Sequence, residues 1–126
     1  MRRWSRTAAA KLLYAALAGV AILLAWNTPQ EQGKELFERR CSGCHALNNN
    51  KEGPRLRGVY GRKSASLPDF AYSGALQKAG VVWDEKSLDR WLSDPDAMAP
   101  DTDMTFRLGD GDERRAVIAY LKSLRQ

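Results

Sequence analysis

The chain has 126 residues, enough for one domain, with 20 Lys+Arg, 15 Asp+Glu and a formal net charge of +5. Four of the basic residues (Arg2, Arg3, Arg6 and Lys11) and none of the acidic ones fall within residues 1–26, so sixteen basic side chains face fifteen acidic ones in the rest. That near balance gives no basic patch for nucleic acid, and one His with two Cys leaves a Cys/His zinc site a ligand short.

In chain order, the basic start is followed by an uncharged run of 15 residues, Leu12 to Trp26. This is the layout of a secretory signal or an uncleaved signal-anchor, and it assigns residues 1–26 to a leader and 27–126 to the domain. A run this short favours cleavage, since a spanning helix needs about 20 apolar residues. Leu23-Leu24-Ala25 favours retention, because a cleavage site wants a small residue three positions back. Counting Ala8 to Ala10 and letting Lys11 snorkel brings the span close to full length, and the balance leans to an anchor. Either way the remainder is exported, and the positive head stays on the cytoplasmic side.

Thr28-Pro29-Gln30-Glu31 opens the first helix: a capping residue, a proline at the first helical position and an acid three after the cap. The helix is expected to run through Leu36 and Phe37 to Cys41-Ser42-Gly43-Cys44-His45. These five residues hold every cysteine and the only histidine of the chain. C-x-x-C-H is the pattern of covalent haem attachment, in which two thiols add to the two vinyl groups and the adjacent imidazole reaches the iron. A thioredoxin-like use of the motif would want a βαβ pattern, and none is visible. A disulfide across two residues would close too small a loop to stabilise much.

A long stretch from Asn48 to Asp69 shows no helical period and is too long for a plain connection in a compact domain. A short helix follows Tyr72-Ser73, with Ala75, Leu76 and Ala79, and stops at Gly80. A third begins at Asp84 and carries Leu88, Trp91 and Leu92 at i, i+3, i+4, with Pro95 as its end. The last begins after Asp110, with Glu113 three on, and its stripe is Val117, Tyr120, Leu121 and Leu124. No strand reads convincingly. The expected class is all-α, with long loops that a haem would help to organise and an apo chain that folds poorly.

With His45 as the only imidazole, the other face of the iron needs a different ligand. His/Met ligation is one standard arrangement. Met1 lies in the leader, which leaves Met98 and Met104. Met104 is the better candidate, because Pro100 to Phe106 is a polar loop able to wrap a haem edge. Met98, just after Pro95, reads more as packing, and an open sixth position stays an alternative.

From Gln32 to Leu124 the sequence resembles the class I cytochrome c family, in its mitochondrial and bacterial c2-like branch. The shared words are Gly33 and Phe37; Gly53-Pro54-x-Leu56-x-Gly58-Val59-x-Gly61-Arg62; Phe70-x-Tyr72-Ser73; Gly80-x-x-Trp83; Leu88-x-x-Trp91-Leu92-x-x-Pro95; Pro100-x-x-x-Met104-x-Phe106; and Ile118-Ala119-Tyr120-Leu121. The resemblance implies a small fold of four to five helices and long loops around one haem c. It implies thioethers at Cys41 and Cys44, with His45 and Met104 as axial ligands. Pro54 would accept a hydrogen bond from the other nitrogen of His45. Arg62, Tyr72, Trp83 and Thr102 would receive the haem propionates, and Phe106 would cover the haem near Met104. Gly33 and Tyr120 would mark a close crossing of the first and last helices.

Three departures from the family pattern carry expectations of their own. Trp91 stands where a Tyr often donates to the Met sulfur, and Leu76 where an Asn commonly helps to hold a water, so the Met104 side is expected to be drier and less hydrogen-bonded. Asp94, Asp96, Asp101 and Asp103 occupy a segment where mitochondrial relatives carry lysines. These acids either steer a partner's docking or are ordinary turn residues.

The function implied is not enzymatic: a monomeric one-electron carrier on the periplasmic side of a bacterial inner membrane. Its partners would be membrane redox complexes such as a quinol-cytochrome c oxidoreductase and a terminal oxidase. A small haem peroxidase or a gas-binding sensor would each need an open iron position, and a peroxidase also a distal acid-base residue.

Overall fold

The protein's computed structural model describes residues 28–125, so the leader lies outside the described residues. Among the described residues no helix is long and apolar enough to cross a membrane.

Helix α1 spans Pro29–Leu36. Thr28 caps it as expected, its Oγ1 accepting from the Glu31 N–H at 3.3 Å. The chain then widens into a single π-turn, Phe37–Cys41, where the sequence pattern leads one to expect an unbroken α-helix. Such wide turns occur mostly at functional positions, and this one delivers the cysteine motif.

Helix α2, Gly74–Ala79, is capped by Ser73 and stops at Gly80, whose φ of +61° is the left-handed conformation that glycine adopts without steric cost. Helix α3, Glu85–Ser93, has a reciprocal capping box between Asp84 and Ser87. Helix α4, Pro95–Met98, is a single turn that the sequence pattern does not announce. Pro95 ends α3 but also occupies the first position of α4, and Asp94 caps the new turn, with its Oδ1 accepting from the Ala97 N–H at 3.3 Å. Helix α5, Gly111–Ser123, is capped by Asp110, which accepts from the Asp112 and Glu113 N–H groups at 2.7 and 3.0 Å.

The main packing is α1 across α5, with α3 also against α5. At the crossing, a Cβ on Gly33 would overlap the Ala116 carbonyl and come within 2.8 Å of the Tyr120 Cβ. Only glycine lets the backbones approach this closely. Phe37 fills the neighbouring space and meets the Tyr120 ring at 5.7 Å. Around this crossing lie the buried Leu36, Leu88, Leu92, Val117, Ile118 and Leu121. Leu56, Tyr60, Met98, Met104 and Phe106 pack against the same core from the loops.

The long segment between the π-turn and α2 is not loose. The Leu56 and Arg57 N–H groups donate to the Ala46 and Leu47 carbonyls at 3.0 and 2.9 Å. An isolated bridge joins Lys63 to Val82, the one extended pairing among the described residues. The Ser64 N–H donates to the Val81 carbonyl at 2.6 Å, and the Trp83 N–H to the Arg62 carbonyl at 2.9 Å. These backbone groups of the irregular stretch are thus paired without a strand.

The candidate haem site

The site begins at the end of the π-turn. The backbone keeps winding past it: the Cys44 and His45 N–H groups donate to the Cys41 carbonyl at 3.1 and 2.8 Å. Cys41, Cys44 and His45 thus follow one another on a single tight winding, with Cys44 close enough to act on the Cys41 thiol. Cys41 packs against the core, and burial, with the neighbouring Cys44, pushes its thiol pKa up to about 11. Cys44 is exposed, and its thiol sits 3.4 Å from Glu52, the hydrogen bond and charge of which raise its pKa.

His45 is held from two directions. Its Nδ1 donates to the Pro54 carbonyl at 2.8 Å. A carbonyl can only accept, so Nδ1 carries the proton and the lone pair resides on Nε2. Gly53 lies against the imidazole, where a Cβ would overlap Cε1 and fall 2.6 Å from Nδ1. The Gly53 N–H donates back to the Cys44 carbonyl at 2.8 Å, closing the small loop beside the ring. Burial lowers the pKa of His45, outweighing the Pro54 bond, which raises it.

The second half of the chain supplies the Met104 loop, which leaves α3 through Asp94 and returns to it, the Leu108 N–H donating to the Leu92 carbonyl at 2.7 Å. Met104 and Phe106 are partly buried on this loop and pack against the core. Here one expectation is overturned. The Met104 sulfur does have a donor: the Trp91 indole N–H points at Sδ, 3.2 Å away. A tryptophan in place of the expected tyrosine changes the donor from hydroxyl to indole and keeps the bond. Met98 lies in α4 and packs on the core. Leu76 is likewise packed against the apolar cluster.

Four residues are assigned to the propionates. Arg62, Tyr72 and Trp83 are neighbours: Trp83 bonds to the backbone of Arg62, and Tyr72 is close enough to act on the Arg62 charge. The Arg62 guanidinium is half-buried and donates to the Arg55 carbonyl at 3.0 Å and the Arg57 carbonyl at 3.4 Å. Among the described residues no carboxylate pairs with it, and burial lowers its pKa. A half-buried cation without an acid is the arrangement a haem carboxylate would complete. Thr102, two residues before Met104, is buried, its N–H on the Ala99 carbonyl at 3.1 Å.

The acidic segment also resolves in part. Asp94 caps α4 and pairs with Arg107 at 2.8 Å, and Asp96 accepts from the Asp101 N–H at 2.9 Å. Two of the four acids therefore fasten their own loop, while Asp101 and Asp103 are exposed.

Paired thiols beside an imidazole with a fixed tautomer, and a steadied thioether sulfur on a loop of the same small helical fold, define a class: proteins that hold a haem covalently. The cytochrome c family model matches residues 30–125. Cytochrome c of Euglena viridis is 42% identical over 98 residues, covering 75% of this chain and 96% of that protein. Cytochrome c2 iso-2 of Magnetospirillum fulvum is 44% identical over 87 residues, covering 67% and 91%. Among solved structures, cytochrome cH from Methylobacterium extorquens superposes with a TM-score of 0.71 at 38% identity, over 75% of this chain and 97% of that one.

The chain belongs to the cytochrome c family. Its cofactor is haem c, attached through Cys41 and Cys44, and its work is electron transfer rather than enzymatic catalysis.

Proposed function

We propose that this cytochrome shuttles single electrons between membrane redox complexes, with His45 and Met104 as the axial ligands of its haem. When bound, the haem iron supplies the one-electron change between Fe(II) and Fe(III). The observation that carries the reading is the pair of fixed ligand side chains. The Nε2 lone pair of His45 is freed by the Nδ1 bond to Pro54, and the Met104 sulfur is steadied by Trp91.

Each side chain then has a task. Pro54 fixes the imidazole tautomer and increases its basicity. Arg62, Tyr72, Trp83 and Thr102 would neutralise or hydrogen-bond the propionates, and Phe106 would cover the haem near Met104 and exclude water. Excluding water and holding both ligands in place keeps the geometry similar in the two oxidation states. No side chain needs to move a proton.

The basic, then apolar, character of residues 1–26 supports a domain on the periplasmic side of a bacterial inner membrane, soluble after cleavage or tethered as an uncleaved anchor. Because only Asn27 and Thr28 separate Trp26 from α1, a tether would confine the carrier close to the membrane plane. The partners proposed are a quinol-oxidising complex as donor and a terminal oxidase or similar complex as acceptor, with the carrier itself a monomer.

The holoprotein tests this reading. Its intact mass should show one haem and report whether the leader is retained. The ferric form should show the weak far-red charge-transfer band of thioether ligation, and the ferrous form should bind CO slowly. Rapid CO binding without that band would instead mean an open sixth position.

A further inference from the structure

Trp91 is buried, with 7% of its surface exposed. A buried indole N–H must find an acceptor or lose the hydrogen bond it had in water. The acceptor present is the Met104 sulfur at 3.2 Å. The position of Trp91 is fixed independently of that bond. It sits on α3, whose first turn is locked by the Asp84–Ser87 box, and its ring packs on Trp83 at a centroid distance of 5.3 Å and a tilt of 59°. The loop that carries Met104 is tied to α3 at its two ends, through Asp94 and through the Leu108–Leu92 bond. Between these ties the indole bond to Met104 links α3 to the middle of the loop.

We propose that Trp91 is the positioning residue for Met104, a donor that cannot ionise and cannot accept, holding the thioether in its ligating orientation and raising the reduction potential of the haem. The proposal rests on the reading of Met104 as the sixth ligand. A thioether sulfur has two lone pairs. With one occupied by the indole proton, the other remains for iron. Donation into sulfur withdraws electron density from it, and a poorer sulfur donor stabilises Fe(III) less than Fe(II), so the reduced state gains. An indole offers one N–H and no lone pair for a water or a second donor. The direction of this bond therefore cannot reverse, and its strength does not follow the titration of the donor.

The test compares Trp91→Phe with Trp91→Tyr in the holoprotein. The two variants are alike in bulk and differ by one hydroxyl. Midpoint potentials come from spectroelectrochemical titration, and ligation from the far-red band of the ferric form. Trp91→Phe should lower the potential, and Trp91→Tyr should recover part of the loss. Identical potentials for wild type and Trp91→Phe, with the wild-type band present, would overturn the role of Trp91 and leave the ligand reading standing. Absence of the band in wild type would overturn the ligand reading itself, and this proposal with it. Should Trp91→Phe fail to take up haem, the wild-type protein decides. Its Trp91 indole N–H should exchange slowly with solvent deuterium and shift on oxidation of the iron; an indole proton that exchanges freely would overturn the proposal.

Discussion

The two sides of the candidate haem site are built by different means. On the His45 side the groups that hold the imidazole are backbone: the Pro54 carbonyl on Nδ1, the Gly53 N–H on the Cys44 carbonyl, and Gly53 against the ring. On the Met104 side the restraints are mostly side chains: the Trp91 indole on sulfur, the Asp94–Arg107 pair and Asp96 on the Asp101 N–H. A backbone scaffold is specified by a few residues at fixed spacing, here Gly53 and Pro54, which follow Cys44 and His45 in the same order along one short loop. A side-chain scaffold can be rebuilt with other residues, and this chain has done so with Trp91.

Losing the covalent anchor should have the largest effect. With Cys41 and Cys44 both replaced by Ser, covalent haem should be absent, and circular dichroism should show most of the helicity gone. Native helicity in that variant would mean that the α1–α5 crossing folds without the cofactor, and would detach the fold from the site.

Next in size is the backbone cradle. Gly53→Ala drives a methyl into the imidazole, and the loop or the ring must shift. Overpacking of this kind costs about 1–3 kcal/mol. The thermal midpoint of the holoprotein should fall and the ferric spectrum should lose part of its low-spin character. A variant indistinguishable from wild type would show the His45 side to be as adaptable as the Met104 side.

Asp94→Ala probes the side-chain scaffold. It removes the cap of α4, which is worth about 1 kcal/mol, together with an exposed ion pair to Arg107 worth less than about 1 kcal/mol. Denaturant unfolding should register a loss near the cap value, while the His45 signals in the NMR spectrum stay in place. Movement of those signals would mean that the two sides are coupled.

The smallest effect lies at the edge of the long loop. Asn50 and Arg55 both bond to Asp69, and the Arg55 guanidinium holds the Asp69 carboxyl below the usual carboxylate range. A depressed native pKa means that this clamp contributes above the unfolded value of about 3.9 and is lost as the pH falls through the lower native value. Hydrogen exchange at the Arg55 amide, which donates to Asn50 at 3.0 Å, should quicken on that acid limb in wild type and show no such step in Asp69→Asn.

Much of this architecture is legible in the sequence, for reasons that differ along the chain. Thr28 and Asp110 cap the helices they are expected to open, and Ser73 and Asp84 cap α2 and α3 where those helices are expected to begin, because a short polar side chain before an apolar period is a local signal. Gly80 ends α2 for an equally local reason. Helix α4 escapes a sequence reading because a proline both stops one helix and starts the next, and the pattern displays only the stop. The π-turn escapes it because nothing in the spacing of Phe37 and Cys41 separates it from an α-turn.

The Pro54 bond to His45 follows from the resemblance, whose motif carries that loop intact. The Trp91 bond does not, for a physical reason. Helical periodicity shows that position 91 faces the core, but not where an indole nitrogen points once there. Family comparison suggests a lost hydroxyl, whereas the chemistry of the substituted side chain supplies another donor at the same sulfur.

Met104 as the ligand opposite His45 is tested most directly by NMR of the ferrous holoprotein. A methionine bound to haem iron lies over the porphyrin, so its ε-methyl protons are shifted far upfield by the ring current. One such resonance is predicted, present in wild type and Met98→Leu and absent from Met104→Leu. No upfield methionine methyl in wild type, or one that vanishes with Met98 instead, would contradict the assignment.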